Sequence, residues 1–263
     1  MTHSAVDYDL LLLQVITEGD HVAAAELIGS HASSLCDASA FDALEWAARN
    51  GHAECAKLLI SGRDVKDYAH SVGIRWAANN GHADCVELLI PLSSPEGCHQ
   101  ALYKAAENGH AACVKLLASK CDARQDESLA LCLAAVGGHD ECVKALIPLS
   151  DPSADNFCAL FWAARSGHSE CVKLLVPVSA GVDQYFVHLR AAEGGHFSCV
   201  AVLWELIPSL SHKVDVFKFM SQAIADGNLD LADFFQSIIE RRSIASSLVA
   251  NANAPASARP PRL

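Results

Sequence analysis

The sequence predicts an all-α protein: a curved solenoid of stacked helix-turn-helix units joined by shortened loops. Three observations carry that prediction. A Gly-His dipeptide begins at residues 51, 81, 109, 138, 167 and 195, in steps of 28 to 30 residues. An Ala-Ala pair lies just before every one of those glycines, from Ala47-Ala48 to Ala191-Ala192. Four residues after each glycine stands a cysteine (Cys55, Cys85, Cys113, Cys142, Cys171, Cys199), followed by apolar pairs such as Leu58-Leu59 and Leu174-Leu175. Such a period marks a repeat architecture, in which each unit buries its apolar face only against its neighbours.

Within a unit the elements follow in order. The first helix ends at the Ala-Ala pair, and the glycine supplies the left-handed residue that stops it. The second helix runs from the histidine to the apolar pair. Pro91, Pro148, Pro177 and Pro208 mark its exit, because proline cannot extend a helix interior. The alanines let first helices approach closely, and the leucines and cysteines fill the seam between units. Two degenerate copies flank the six, one around Gly19 and one around Gly227; each keeps the glycine turn and loses the Gly-His and the cysteine. Terminal units of a stack differ because one side faces water. The array is therefore read as about eight units over residues 1–240. The small, polar, proline-bearing stretch 241–263 is expected to be a disordered tail.

The segments Trp46-Ala-Ala-Arg-Asn-Gly-His-Ala-Glu-Cys-Ala-Lys-Leu-Leu-Ile60 and Trp162-Ala-Ala-Arg-Ser-Gly-His-Ser-Glu-Cys-Val-Lys-Leu-Leu-Val176 closely resemble the helix-turn-helix of the ankyrin repeat. The resemblance spans about residues 10 to 240. There are departures. Where the family carries Thr-Pro-Leu-His, this chain has Asp42-Ala-Leu-Glu45, Gln100-Ala-Leu-Tyr103 and Cys158-Ala-Leu-Phe161. The units are also shorter than the family's ~33 residues, and Ile-Pro-Leu-Ser or Val-Pro-Val-Ser replaces the turn into a hairpin finger. Shortened fingers, formed as turns, are the expectation.

Composition excludes several function classes. Of 263 residues, 51% are hydrophobic and 19% charged, so a substantial core is available and disorder over most of the length is excluded. The formal net charge is −12, and beyond Glu240 the only charges are Arg241, Arg242, Arg259 and Arg262. An acidic body repels phosphate backbones, so nucleic acid is not an expected partner; a protein with a basic patch is. No apolar run reaches the ~18 residues of a membrane span, so no membrane partner is expected. Asp7 and Asp9 precede the leucine run 10–13 with no basic segment, which argues against a cleaved signal peptide. A cytoplasmic monomer is expected, with export into a host cell as the alternative location. Eleven cysteines in a long chain without a signal peptide read as reduced thiols.

The cysteine ladder is the most tempting chemistry, and its plain reading is structural. Neighbouring helices stand ~8–10 Å apart, beyond the ~7 Å Cα limit of a disulfide, and buried free cysteine behaves as a small hydrophobe. The histidine three residues before each ladder cysteine shares its helix face, but four ligands cannot converge at that spacing; it more simply starts the second helix and bonds a turn of the next unit. No metal site and no cofactor are expected. Cys36, Cys98, Cys121, Cys132 and Cys158 lie off the ladder, and none sits in a catalytic motif. Glu54 with Lys57, Glu141 with Lys144 and Glu170 with Lys173 have the spacing of solvent-facing ion pairs.

The positions that vary from unit to unit on the first helix are the candidate partner surface, because by resemblance to the ankyrin family they lie on or near its concave face. They are Glu45, Trp46, Arg49, Arg75, Trp76, Asn79, Tyr103, Lys104, Glu107 and Arg165. Trp, Tyr and Arg dominate binding hot spots. The competing reading is that the tryptophans only fill space between units. The expected function is a non-enzymatic interaction module or scaffold that holds a partner protein on the concave face. The alternatives are a targeting subunit or translocated effector whose activity lies in another chain, and a thiol or metal sensor.

Overall fold

Computed as a structural model, the chain is described over residues 5–31, 37–61, 67–179, 184–206, 216–225, 227 and 229–253. Cys36, Pro208 and residues 254–263 of the tail lie outside them. The described residues form helices in consecutive pairs: α1 (Ala5–Glu18) with α2 (His21–His31), α3 (Asp37–Asn50) with α4 (Ala53–Ser61), α5 (Asp67–Asn80) with α6 (Ala83–Leu89), and α7 (Pro95–Glu107) with α8 (Ala111–Ala118). They continue as α9 (Gln125–Gly137) with α10 (Asp140–Leu146), α11 (Ala154–Ser166) with α12 (Ser169–Leu175), α13 (Gln184–Glu193) with α14 (Phe197–Leu206), and α15 (Val216–Ala225) with α16 (Leu229–Asn253).

Two layers result. The first helices pack in a row from α1 through α3, α5, α7, α9 and α11 to α13, and the second helices in a parallel row from α2 to α14. The core is the seam between them. Ala47, Ala48, Ala77, Ala78, Ala105, Ala106, Ala134, Ala135, Ala163 and Ala164 are all fully buried, so side-chain volume never keeps the first helices apart. Between each alanine pair and its neighbour, Leu44, Ile74, Leu102, Leu131 and Leu160 fill the interior. Every ladder cysteine is buried beside an apolar residue of its own helix, as Cys113 is beside Val114 and Leu117. Burial pushes the thiols of Cys85, Cys113, Cys142, Cys171 and Cys199 up to about 11, because a thiolate there would lose its water.

No strand occurs among the described residues, and the described connections are turns. Pro91 and Pro177 do more than end a helix: each lies within a 3-10 turn, Ile90–Leu92 and Val176–Val178, that tightens the chain before the next unit. Ser94 then caps α7, its hydroxyl accepting from the Gly97 amide at 3.1 Å.

Three sequence expectations are corrected. The last helix continues past Glu240 to Asn253, because no proline interrupts the chain before Pro255 and its first turns are anchored by buried Phe235 and Ile238. Not all thiols are free: Cys132 on α9 and Cys158 on α11 are joined, their Cα atoms 5.9 Å apart. These two sit on α9 and α11, adjacent first helices that pack through buried alanines. The histidines, finally, reach back to the preceding unit. His82, His110, His139 and His168 donate from Nε2 to the carbonyls of Arg49, Asn79, Glu107 and Val136 at 2.9–3.0 Å. The direction follows from the side-chain geometry, since each ring starts its helix and leans over the glycine turn behind it.

Candidate interaction surface

The exposed side of the first-helix row is a broad surface whose composition changes from unit to unit. Arg49 lies between two tryptophans: its guanidinium carbon is 4.6 Å from the Trp76 ring centroid of the next unit and 5.6 Å from that of Trp46 in its own. The same Trp-Ala-Ala-Arg motif recurs on α11, where Arg165 stands 5.0 Å from the Trp162 centroid. Phe161 meets Trp162 edge to face at 5.4 Å and carries Arg190 5.5 Å above its own ring. Trp46 is 40% exposed and Trp162 36%. One face of each of these rings supports an arginine, and the rest meets solvent. Stacking also restricts the long arginine side chains before any partner arrives, which lowers the ordering cost of binding.

The other candidates separate. Arg75 is exposed and borders an open cleft of about 250 Å³ between α5 and α7, with Ser71, Glu96 and Gln100. Glu45 is half-buried beside Trp46. Lys104 and Glu107 are paired with each other at 2.7 Å and remain on the surface as a neutral unit. Asn79 is engaged within the stack: its amide donates to Asn80 at 2.9 Å, and its oxygen accepts from Asn108 of the next unit at 3.3 Å. Tyr103 leaves the surface altogether. It is 8% exposed, and its hydroxyl donates to Asp126 Oδ2 at 2.7 Å. Burial, reinforced by that bond to a carboxylate, raises its phenol well above the usual range. The tie to Asp126 could not be read from spacing, because it depends on a left-handed turn over Asp126–Ser128 that opens α9. Among the described residues Arg49, Arg75 and Arg165 make no ion pair, so their charge is available. The surface pairs on the second helices form as the spacing predicts, Lys173 with Glu170 at 2.6 Å and the Lys57–Glu54 and Lys144–Glu141 pairs at 3.9 Å.

This layout of alanine-packed first helices, glycine turns and short second helices is matched by the comparisons with known proteins. Models of the ankyrin repeat match residues 41–69, and models of three consecutive ankyrin repeats match 74–157 and 102–186, together more than half of the chain. The chain belongs to the ankyrin-repeat family. Among solved structures, the human ASB11 ankyrin repeat domain superposes with a TM-score of 0.58 at 21% identity, over 73% of this chain and 95% of that one. No match was found among curated proteins. Ankyrin repeats are generic protein–protein interaction modules, and this chain is an all-α solenoid of such repeats. No helix among its described residues is long and apolar enough to cross a membrane.

Proposed function

We propose that this ankyrin-repeat array is a non-enzymatic scaffold that holds a partner protein on the concave face of its first-helix row. The observation that carries the reading is the stacked group of exposed Trp46 and Arg49 with half-buried Trp76, repeated as exposed Trp162 and Arg165: aromatic and arginine side chains, pre-ordered, the arginines without ion partners among the described residues. These residue types release the most free energy when a partner excludes water from them. The ladder thiols are buried and held protonated, which argues against a nucleophile or thiol-sensing role for them.

The net charge of −12 favours a partner with a basic patch through long-range attraction, so the association rate is expected to fall as salt rises from low to physiological strength. The reading places the chain in the cytoplasm as a monomer, a setting that keeps its eight described free thiols reduced and against which the Cys132–Cys158 bond is the exception.

The test is affinity capture under reducing conditions beside a variant carrying Trp46→Ala, Arg49→Ala and Arg165→Ala, with circular dichroism confirming that the variant is folded. The reading requires a partner held by the natural chain to be lost by the variant. Undiminished capture would move the docking site off this face.

A further inference from the structure

The outward side of the first-helix row differs in charge from the chain as a whole. Residues at i, i+3, i+4 and i+7 share one face of a helix, and on α3 these are Asp42, Glu45, Trp46 and Arg49. From α3 to α13 that face carries five basic residues (Arg49, Arg75, Lys104, Arg165, Arg190) against four acidic ones (Asp42, Glu45, Glu107, Glu193), whereas the whole chain stands at −12. Lys104 pairs with Glu107 and Arg190 with Glu193, each at 2.7 Å. Residues 129–136 of α9 carry no charge, and Val136 there is 40% exposed. Arg49, Arg75 and Arg165 remain. All three are exposed, and their guanidinium groups make no ion pair or hydrogen bond among the described residues, with Asp42 and Glu45 included. A tryptophan ring steadies Arg49 and Arg165 but offers them no oxygen, so their N–H donors are left for an acceptor from outside.

We propose, on the reading that this face holds a partner, that what docks there is an extended acidic segment of that partner. Its carboxylates meet Arg49 and Arg75 at one end and Arg165 at the other, with an apolar residue against Val136 between them. A carboxylate is the acceptor that a guanidinium engages through paired N–H bonds, and an arginine already steadied by a ring loses less freedom in making them. The spacing sets the length of the segment. Arg49 on α3 and Arg165 on α11 are four helix steps apart, roughly 35 Å at the usual separation of packed helices, which an extended chain covers in about 11 residues. A nucleic acid is the wrong source of negative charge, because the acidic remainder of the chain repels a phosphate backbone. The basic patch that the net charge attracts and the acidic segment are separate parts of the partner: the patch faces the acidic remainder, and the segment lies along the arginines.

The experiment uses the full chain and two fluorescein-labelled synthetic peptides of about 14 residues, a length set by that span. One has paired aspartates near each end and leucines at its centre; the other has asparagines in place of the aspartates. Fluorescence anisotropy at physiological salt should show the aspartate peptide binding at least about tenfold more tightly than the asparagine peptide. That preference should vanish when Arg49→Ala, Arg75→Ala and Arg165→Ala are combined, and Arg49→Lys, which keeps the charge and loses the planar fork, should recover only part of it. Equal affinities, no binding of the aspartate peptide, or a preference that survives the combined variant would overturn the proposal. Equal affinities that both fall with Trp46→Ala would remove the acidic class and leave the docking surface standing, whereas partner capture undiminished by Trp46→Ala, Arg49→Ala and Arg165→Ala removes the surface itself. The comparison of the two peptides on the natural chain needs no variant, so it decides the matter even where the combined variant fails to fold.

Discussion

His110 lies over Gly81 of the preceding unit. A Cβ on Gly81 would stand 2.6 Å from His110 Nδ1, while Nε2 of the same ring donates to the Asn79 carbonyl at 2.9 Å. The pairing recurs along the stack, with Gly51 beneath His82 and Gly167 beneath His196. Each Gly-His dipeptide from Gly51 to Gly167 therefore joins three units: its glycine receives the ring that follows, and its histidine covers the glycine behind. The carbonyl acceptor fixes the ring proton on Nε2, since a carbonyl oxygen cannot donate.

Gly81→Ala should cost more than Gly195→Ala. Both glycines have left-handed backbones, at φ +82° and +70°, but among the described residues nothing stands within 4 Å of a Cβ on Gly195. The next turn carries Asn228 in place of histidine. The backbone penalty alone is ~1 kcal/mol, and displacing the His110 ring adds on the order of another 1–2. Urea unfolding of the two variants checks this; equal losses would show that the ring yields freely.

Tyr103→Phe should lower stability by about 1.5 kcal/mol, because it leaves the Asp126 carboxylate without its charge-assisted partner. Partner capture should be unaffected, as the hydroxyl faces the next helix. A binding loss in a fully stable Tyr103→Phe protein would return this residue to the docking surface.

The alkaline limb of stability should be set in part by the ladder. A ladder thiol ionises near 11 when folded, against 9.0 for an unshifted thiol. The folded state therefore holds its proton more tightly. The stabilisation is complete below about pH 9 and is lost as pH climbs through the folded value, since the unfolded chain sheds protons first. Thermal midpoints measured from pH 8 to 11 should fall, and Cys113→Ala should show a shallower fall alongside a lower starting value from its small cavity.

Arg49→Ala should separate binding from folding. Its contacts with Trp46 and Trp76 are partly solvated and worth about 0.5–1 kcal/mol, so the melting curve should barely move. Partner affinity should fall at least tenfold if this residue is a hot spot. Titration calorimetry with the captured partner, run beside the melt, distinguishes the two.

The sequence by itself determined the repeat, the two-helix unit, the glycine turn and the burial of the cysteine ladder. All of these follow from periodicity and from the volume of side chains at fixed positions, and a stack of identical units transmits them from one copy to the next. The surface ion pairs were legible for the same reason, as partners three residues apart on one helix must be neighbours. Only the tertiary structure decided what lies between units. It showed that the histidines reach backward, that Tyr103 turns inward to Asp126, that Asn79 serves the stack, that Arg49 is held by a tryptophan of the next unit, and that Cys132 meets Cys158. Those contacts join residues 23 to 33 positions apart. Their partners are chosen by the angle and offset at which adjacent helices pack, and no local spacing encodes that offset.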